Sequence, residues 1–531
     1  MGRFSQVQFA GDYELTSLNL ISYRSAEDNY GVPQKVDIRG LLVELNVFES
    51  IYSKSISGNI VVADGAGLIE DFPLTGLERL EFIFSTPGAP NDYVYNFTTE
   101  GGSPLYVYKV DSRKRTTGAS QVYVLYFCSK EMLNNEKKRI NYALDGTSED
   151  IVYQIFRNED LLNSKKKIYL EPSETLNRYL FPNVKPFTAI DMVAKQAVSA
   201  NYKNAGFLFY ETKSGYQFRS MESLLATGGT TVREPRMTYF VDTANVRHNE
   251  NRIVENEMTS VISYEILNQF DTLKNLRGGA YASRLITHDA FNKLFSTYDY
   301  NYHIDYGAYF HTNGNKDGGR TSEGRLTPVT PSDDTGAYIT QYPNARVYVN
   351  SYTQNLYNDF GRPNVVNITR QRIAQDQIFN NIVLSLQVPG NTMLDAGDKI
   401  YFEIPSVRGG NAKGTDRQLS GNYIITEIRN NVNISTDRHT TYLKVVRDCV
   451  ENEYPSESFS TYVGTEYDNV DKVRSFGSKI TSLFGNEVSD TYVNTLNNAK
   501  ITAKNKIKKA AIDILKEEKD KIISKVKSFF S

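Results

Sequence analysis

From Asp37 to Phe84 the chain alternates apolar and polar positions with a period of two. Val43, Leu45 and Val47 fall on one set of alternate positions, and Leu42, Glu44 and Asn46 on the other. The run pauses at Ser55-Ile56-Ser57-Gly58-Asn59, continues through Ile60-Val61-Val62-Ala63, and ends in Leu80-Glu81-Phe82-Ile83-Phe84. This pattern predicts three strands and two turns, because alternation places one face in a core and the other outside it. Further strand-like runs follow at Tyr93 to Phe97, Leu105 to Val110 and Gln121 to Phe127, separated by Pro/Gly clusters at 87–90 and 101–104. Residues 1–128 therefore read as a first small β-barrel or sandwich.

At about Ser129 the period changes. Thr147 followed by Asp150 has the spacing of a capping box, with Ile151, Val152, Ile155 and Phe156 on one side of the helix it would start. A second helix is expected near 188–200, carrying Ile190, Val193, Ala194, Ala197 and Val198, and then a hairpin at 206–220. Residues 129–232 thus form an α+β unit. Alternation resumes over 233–270 and again over 376–450, predicting a second β-barrel interrupted by a loop-rich insertion at 271–375. Leu394-Asp395-Ala396-Gly397-Asp398-Lys399-Ile400 resembles Leu74 to Leu80, and Ser420-Gly421-Asn422 resembles Ser57-Gly58-Asn59, although the two echoes come in reversed order. Residues 451–495 read as a polar tether. Residues 496–531 read as an amphipathic helix whose apolar stripe includes Ile507, Ala511, Ile514, Ile522, Val526 and Phe529. The fold class is mainly β with α+β insertions.

Composition narrows the picture. A chain of 531 residues exceeds what one core supports, since cores stop growing at about 250–300 residues. Its 60 basic and 62 acidic residues leave a net charge of −2, which argues against global attraction to nucleic acid or to an anionic membrane. No run approaches the ~18 apolar residues of a membrane span, and the N-terminus lacks a signal-peptide core. Cys128 and Cys449 lie in or beside strand-like runs and read as free, buried thiols. Tyrosine reaches 37 residues while tryptophan is absent, a composition suited to broad β contact surfaces.

The candidate chemistry is thin. His303 and His311 lack metal-ligand spacing, and Asn313-x-Asn315-x-Asp317-Gly318 reads as a solvated turn because Glu323 is one place short of a calcium loop's closing ligand. The pairs Glu149-Asp150 and Asp333-Asp334 are adjacent in sequence, whereas a glycosidase needs two carboxylates facing across a cleft. No phosphate loop, nucleophile elbow or paired Cys-x-x-Cys occurs. Catalytic, cofactor and metal residues are therefore expected to be none. Tyr298, Tyr300 and Tyr302 would share one face of a strand, as a partner interface or a packed sheet face. Ile514, Ile522 and Phe529 are the corresponding candidates on the terminal helix.

Four stretches together resemble the baseplate hub proteins of contractile-tailed, T-even-like phages, which are related to the hub portion of type VI secretion spikes. They are residues 57–84, 186–220, Gly278 to Asp289, and 394–425. The segment after residue 450 is longer than the family pattern. The resemblance implies a homotrimer in which each chain gives two similar β-barrel tube domains to a pseudo-hexameric ring. Such a ring would join a tail tube or tube-initiator protein to a central spike protein, with the tape-measure protein and baseplate wedge as further candidate neighbours. It also implies passage of DNA through the lumen without sequence-specific binding, no membrane insertion, and a place in the virion tail baseplate after assembly in the host cytoplasm. Two other readings stay open: a tail-associated cell-wall hydrolase, and a receptor- or glycan-binding tail module using the 271–363 insertion.

Overall fold

The computed structural model describes residues 6–22, 34–241, 254–313, 339–351, 365–406 and 415–451, apart from residues 73, 102, 117–119, 175, 228–230, 291–292, 307–308 and 417. The expected terminal helix, with Ile514, Ile522 and Phe529, and nearly all of the expected tether lie outside these residues.

The first lobe contains β1 (Glu14–Ser22), β2 (Gln34–Asp37), β3 (Leu42–Ser50), β4 (Ser57–Asp64), β5 (Arg79–Ser85), β6 (Tyr95–Asn96), β7 (Leu105–Arg115) and β8 (Gln121–Ser129). Its main ladder runs β3-β4-β8-β7-β5-β1-β2. Leu45, Val47, Ile60, Val62, Phe82, Phe84, Leu125 and Phe127 point into one buried core, as period-two alternation requires. The expected core set of β3 needs one correction. The register shifts between Leu42 and Glu44, so Leu42 turns inward opposite Val62 and Val43 is displaced from the core.

The second lobe uses strands Met237–Phe240, Ser263–Asn268, Ile382–Pro389, Lys399–Glu403, Gly421–Asn433 and Arg438–Arg447 around a separate core that includes Leu384, Leu386, Ile400, Phe402, Ile425 and Leu443. Among the described residues the two lobes share one sheet of 14 strands. Gly421–Asn433 pairs antiparallel with β3 from Glu427↔Ser50 to Asn433↔Glu44. At 13 residues this strand is long enough to serve both cores: Ile425 and Ile428 lie in the second, and Val432 in the first. A bulge at Thr426, where the register slips between Ile425 and Glu427, lies within the part that serves the second core, and the change of core comes between Ile428 and Val432. Among the described residues no ladder joins β2 to β3, so the hydrogen bonding of the first lobe is that of a curled sheet.

Between the lobes in sequence lies the α+β unit. Helices Ser148–Arg157 and Pro186–Gln196 pack against the three-stranded sheet of Ile168–Leu170, Gly215–Ser220 and Phe207–Thr212, burying Ile151, Ile155, Phe156, Ile190, Val193, Phe209 and Phe218. Thr147 and Asp150 make the reciprocal capping box. The second helix starts earlier than the expected Thr188, because Pro186 occupies its first turn, where a missing N–H costs nothing.

Three expectations change. Residues 254–259, expected as strand, form a helix, Val254–Thr259. The insertion is more ordered than loop-rich. It holds a helix, Thr272–Gly278, a three-stranded sheet of Leu294–Asn301, Ala282–Asp289 and Val347–Ser351, and a helix, Val365–Ile378, that crosses the expected 375/376 boundary. The echoed segments also differ in topology. Ser57–Asp64 pairs with β3 and β8, away from Arg79–Ser85, whereas Lys399–Glu403 and Gly421–Asn433 pair directly. What the echoes share is local. Glu78 accepts bonds from the Thr75, Gly76 and Leu77 amides, and Asp398 accepts one from the Asp395 amide, so each carboxylate ties a turn ahead of its strand.

Candidate functional site

The feature that spans both lobes is the face of the shared sheet opposite the two cores. Register alone places it. Where Leu45 and Val432 point inward, their neighbours Glu44, Asn46, Arg429 and Asn431 point outward. Asn46 Nδ2 donates to Glu44 Oε1 at 2.8 Å and to Asn59 Oδ1 at 2.9 Å, while Arg429 Nε donates to Asn46 Oδ1 at 2.8 Å. Asn431 Nδ2 donates to both Glu44 Oε1 (2.5 Å) and Asn46 Oδ1 (2.8 Å), so the seam between lobes is closed by side chains as well as backbone.

The same face continues outward on both sides. Toward the second lobe it carries Glu427 paired with Lys444 at 2.9 Å, the Arg429 guanidinium 5.1 Å from the Tyr442 ring, and Ser263 donating to Gln387 at 3.0 Å. Toward the first lobe it carries Tyr126 with Lys109 over its ring at 5.2 Å, and Lys109 paired with Asp111 at 2.5 Å. Positive and negative groups thus neutralise one another in place.

Behind this face, polar groups are buried and paired where units meet. Lys166 binds Glu131 (2.8 Å) and Glu211 (2.5 Å), and Glu211 also accepts from the Ile56 amide and Ser129, which ties the α+β unit to the end of β8. Where the insertion meets the end of the second lobe, Asp448 accepts from Thr312 N–H (3.0 Å), Thr312 Oγ1 (2.7 Å) and Tyr306 OH (3.0 Å), and pairs with His311 Nδ1 at 2.5 Å. Burial alone would push the Asp448 carboxyl up, but His311 beside it and the Thr312 bonds hold it well below the usual carboxylate range. Among the described residues no group of three or more His, Cys, Asp or Glu side chains is arranged to hold a metal ion. No helix among them is long and apolar enough to cross a membrane.

No family model matches the chain. The probable baseplate hub protein gp334 of Vibrio phage KVP40 is 23% identical over 434 residues, covering 79% of this chain and 94% of that protein. The chain is a relative of phage baseplate hub proteins. Its structure also has likeness to a tail protein from Neisseria meningitidis MC58 (TM-score 0.47, 10% identity, 82% of this chain and 97% of that one). A 43 kDa tail protein of prophage MuSo2 from Shewanella oneidensis gives a TM-score of 0.43 at 10% identity, covering 81% of this chain and 98% of that one.

For a hub relative, the placement of the tyrosine candidates matters. Tyr300 and Tyr302 are buried inside the chain, with Tyr302 packed against Tyr281 and Tyr306, so they belong to the insertion's own core and are not available as a surface. Tyr298 alone is exposed, with the Arg370 guanidinium 5.9 Å from its ring. Tyr298 and Tyr300 do lie two apart on one strand, but Tyr302 leaves that face because the strand ends at Asn301 and the chain enters a π-helical turn, Tyr302–Tyr306. Cys128 and Cys449 are free and buried. Sequence reading missed the outward row of Glu44, Asn46, Arg429 and Asn431. Its signal was present as two separate alternations, but nothing local says that they pair.

Proposed function

We propose that the chain is a structural, non-enzymatic baseplate hub, a component of the virion tail baseplate. Three copies form a ring in which the two β lobes of each chain act as tube domains, giving six lobes around one axis. A lobe repeated within each of three chains reconciles a three-fold spike with a six-fold tube. The ring joins the tail tube to a central spike protein, and DNA passes through its lumen without sequence-specific contact.

One observation carries this reading: both lobes lie on one continuous sheet whose outward face is polar and charge-balanced from Glu427 and Lys444 to Lys109 and Asp111. We assign that face to the lumen wall. Light scattering of the purified chain, alone and with its spike protein, tests the assembly. A trimer in either sample supports the reading, and a stable monomer in both overturns it.

A further inference from the structure

Three units of the fold meet at one buried lysine. Lys213 sits in the tight turn between strands Phe207–Thr212 and Gly215–Ser220 of the α+β unit. Its side chain is 1% exposed and pairs with Asp395, in the turn that precedes Lys399–Glu403 of the second lobe. Lys213 Nζ also donates to the Leu394 carbonyl at 2.6 Å, and Ser214 Oγ donates to Asp395 Oδ2 at 2.7 Å, so amine and carboxyl are both held in place. The Tyr95 ring lies 5.2 Å from the ammonium.

A second carboxyl completes the site from the first lobe. Glu49, on β3, is 2% exposed; its Oε1 accepts from Tyr95 OH at 2.7 Å, and among the described residues its Oε2 has no hydrogen-bond partner. Burial pushes the Glu49 carboxyl up to about 7, with Lys213 opposing that shift and Asp395 reinforcing it. Lys213 therefore meets two carboxyls: its ammonium pairs with Asp395, and its backbone N–H donates to Glu49 Oε1 at 3.4 Å. An ordinary ion pair needs only one, and burying the surplus acid is costly unless it keeps a proton.

We propose that Lys213 and Asp395 become joined by a side-chain amide bond, with Glu49 as the group that carries the proton. Proton transfer from the ammonium to the Asp395 carboxylate leaves a neutral amine and a carboxylic acid. The Nζ lone pair attacks Cγ and forms the C–N bond. Glu49 donates its proton to the departing oxygen and takes one from nitrogen, and the C–O bond breaks to release water. Ammonium plus carboxylate has become amide plus one water, with Glu49 unchanged and no oxidant or co-reactant required. Two buried charges disappear, and with them their desolvation penalty. The partly open edge of Asp395, whose side chain is 14% exposed, gives water a way out.

The buried Lys166 site serves as an internal contrast. Both of its carboxylates are engaged by further donors, Ser164 on Glu131 and Ser129 with the Ile56 amide on Glu211, so neither acid is left with a free oxygen of the Glu49 kind. It is expected to remain an ion network. The amide would staple the α+β unit to the second lobe across 182 residues of sequence, a covalent fastening suited to a part that bears load.

Intact mass spectrometry of the purified full-length chain, followed by peptide mapping, decides the matter. The expected result is a mass lower by one water, about 18 Da, with a branched peptide joining Lys213 to Asp395. Glu49→Gln, nearly isosteric, is expected to retain circular dichroism and melting behaviour while at least nine-tenths of the chain stays at full mass. A wild-type chain at full mass with Lys213 and Asp395 in separate peptides overturns the bond. A branched peptide at Lys166 alone overturns its placement, and full water loss in Glu49→Gln overturns the role of Glu49.

Discussion

His439 shows what burial does to a single side chain. It lies on strand Arg438–Arg447 with Nε2 against Asn430 Oδ1 at 3.0 Å, its ring edge-on to Phe84, and Gly390 so close that a β-carbon there would overlap the imidazole. Burial pulls its pKa down to about 3, so the folded chain keeps it neutral. The unfolded chain binds a proton near the ordinary value of about 6.5. Folded pKa lies below unfolded pKa, so the stabilising contribution is complete above about pH 6.5 and is lost progressively as pH falls toward about 3. In melting temperatures measured across pH, His439→Asn is expected to flatten the decline between pH 6.5 and 4 relative to wild type. An unchanged slope would show that His439 does not set it. A histidine between Arg438 and Thr440 gives no local hint of this, because its burial comes from the first lobe packing across it.

At the scale of elements, the two Ser-Gly-Asn segments look alike in sequence and work differently. A β-carbon on Gly58 would fall 2.2 Å from both the Asn46 carbonyl oxygen and the Phe127 ring, so glycine lets β4 lie close between β3 and β8. Gly421 instead has φ +140, a conformation that side-chain-bearing residues rarely adopt, where the chain enters the long shared strand. Gly58→Ala is therefore expected to destabilise the chain by about 1–3 kcal/mol through overpacking, read as a lower urea midpoint. No loss would mean that β4 shifts freely. The alternation, the capping box at Thr147 and most strands were legible because each depends on neighbours a few residues away. The helix Val254–Thr259 and the full insertion sheet were not, since the helix is only six residues long with Met258 packed in the second core, and the third strand of the sheet, Val347–Ser351, joins from far along the chain.

On the scale of the whole molecule, the shared sheet ends, among the described residues, in an edge strand, Ser263–Asn268, that is exposed from Ser263 to Leu267 and apolar at Tyr264, Ile266 and Leu267, with Ile262 exposed just before it. An apolar edge with unpaired backbone groups invites another strand. In the trimer reading a neighbouring copy covers it. Ile266→Lys is expected to leave the melting temperature within a few degrees of wild type and to shift light scattering from trimer to monomer. A variant that still trimerises would place the contact elsewhere.

The order of residues settles which side of each strand is apolar, where helices begin, and that no familiar catalytic pattern is present, because these follow from nearest neighbours and from composition. It leaves open what lies beside what. Glu44 and Arg429 are 385 positions apart yet share a hydrogen bond, and the long strand from Gly421 to Asn433 serves two cores because its 13 residues reach from one to the other. Tyr300 and Tyr302 became core, and Lys213, Asp395 and Glu49 became one site, through packing between units. Long-range pairing is decided by the total burial it allows, and that sum runs over residues no local window contains.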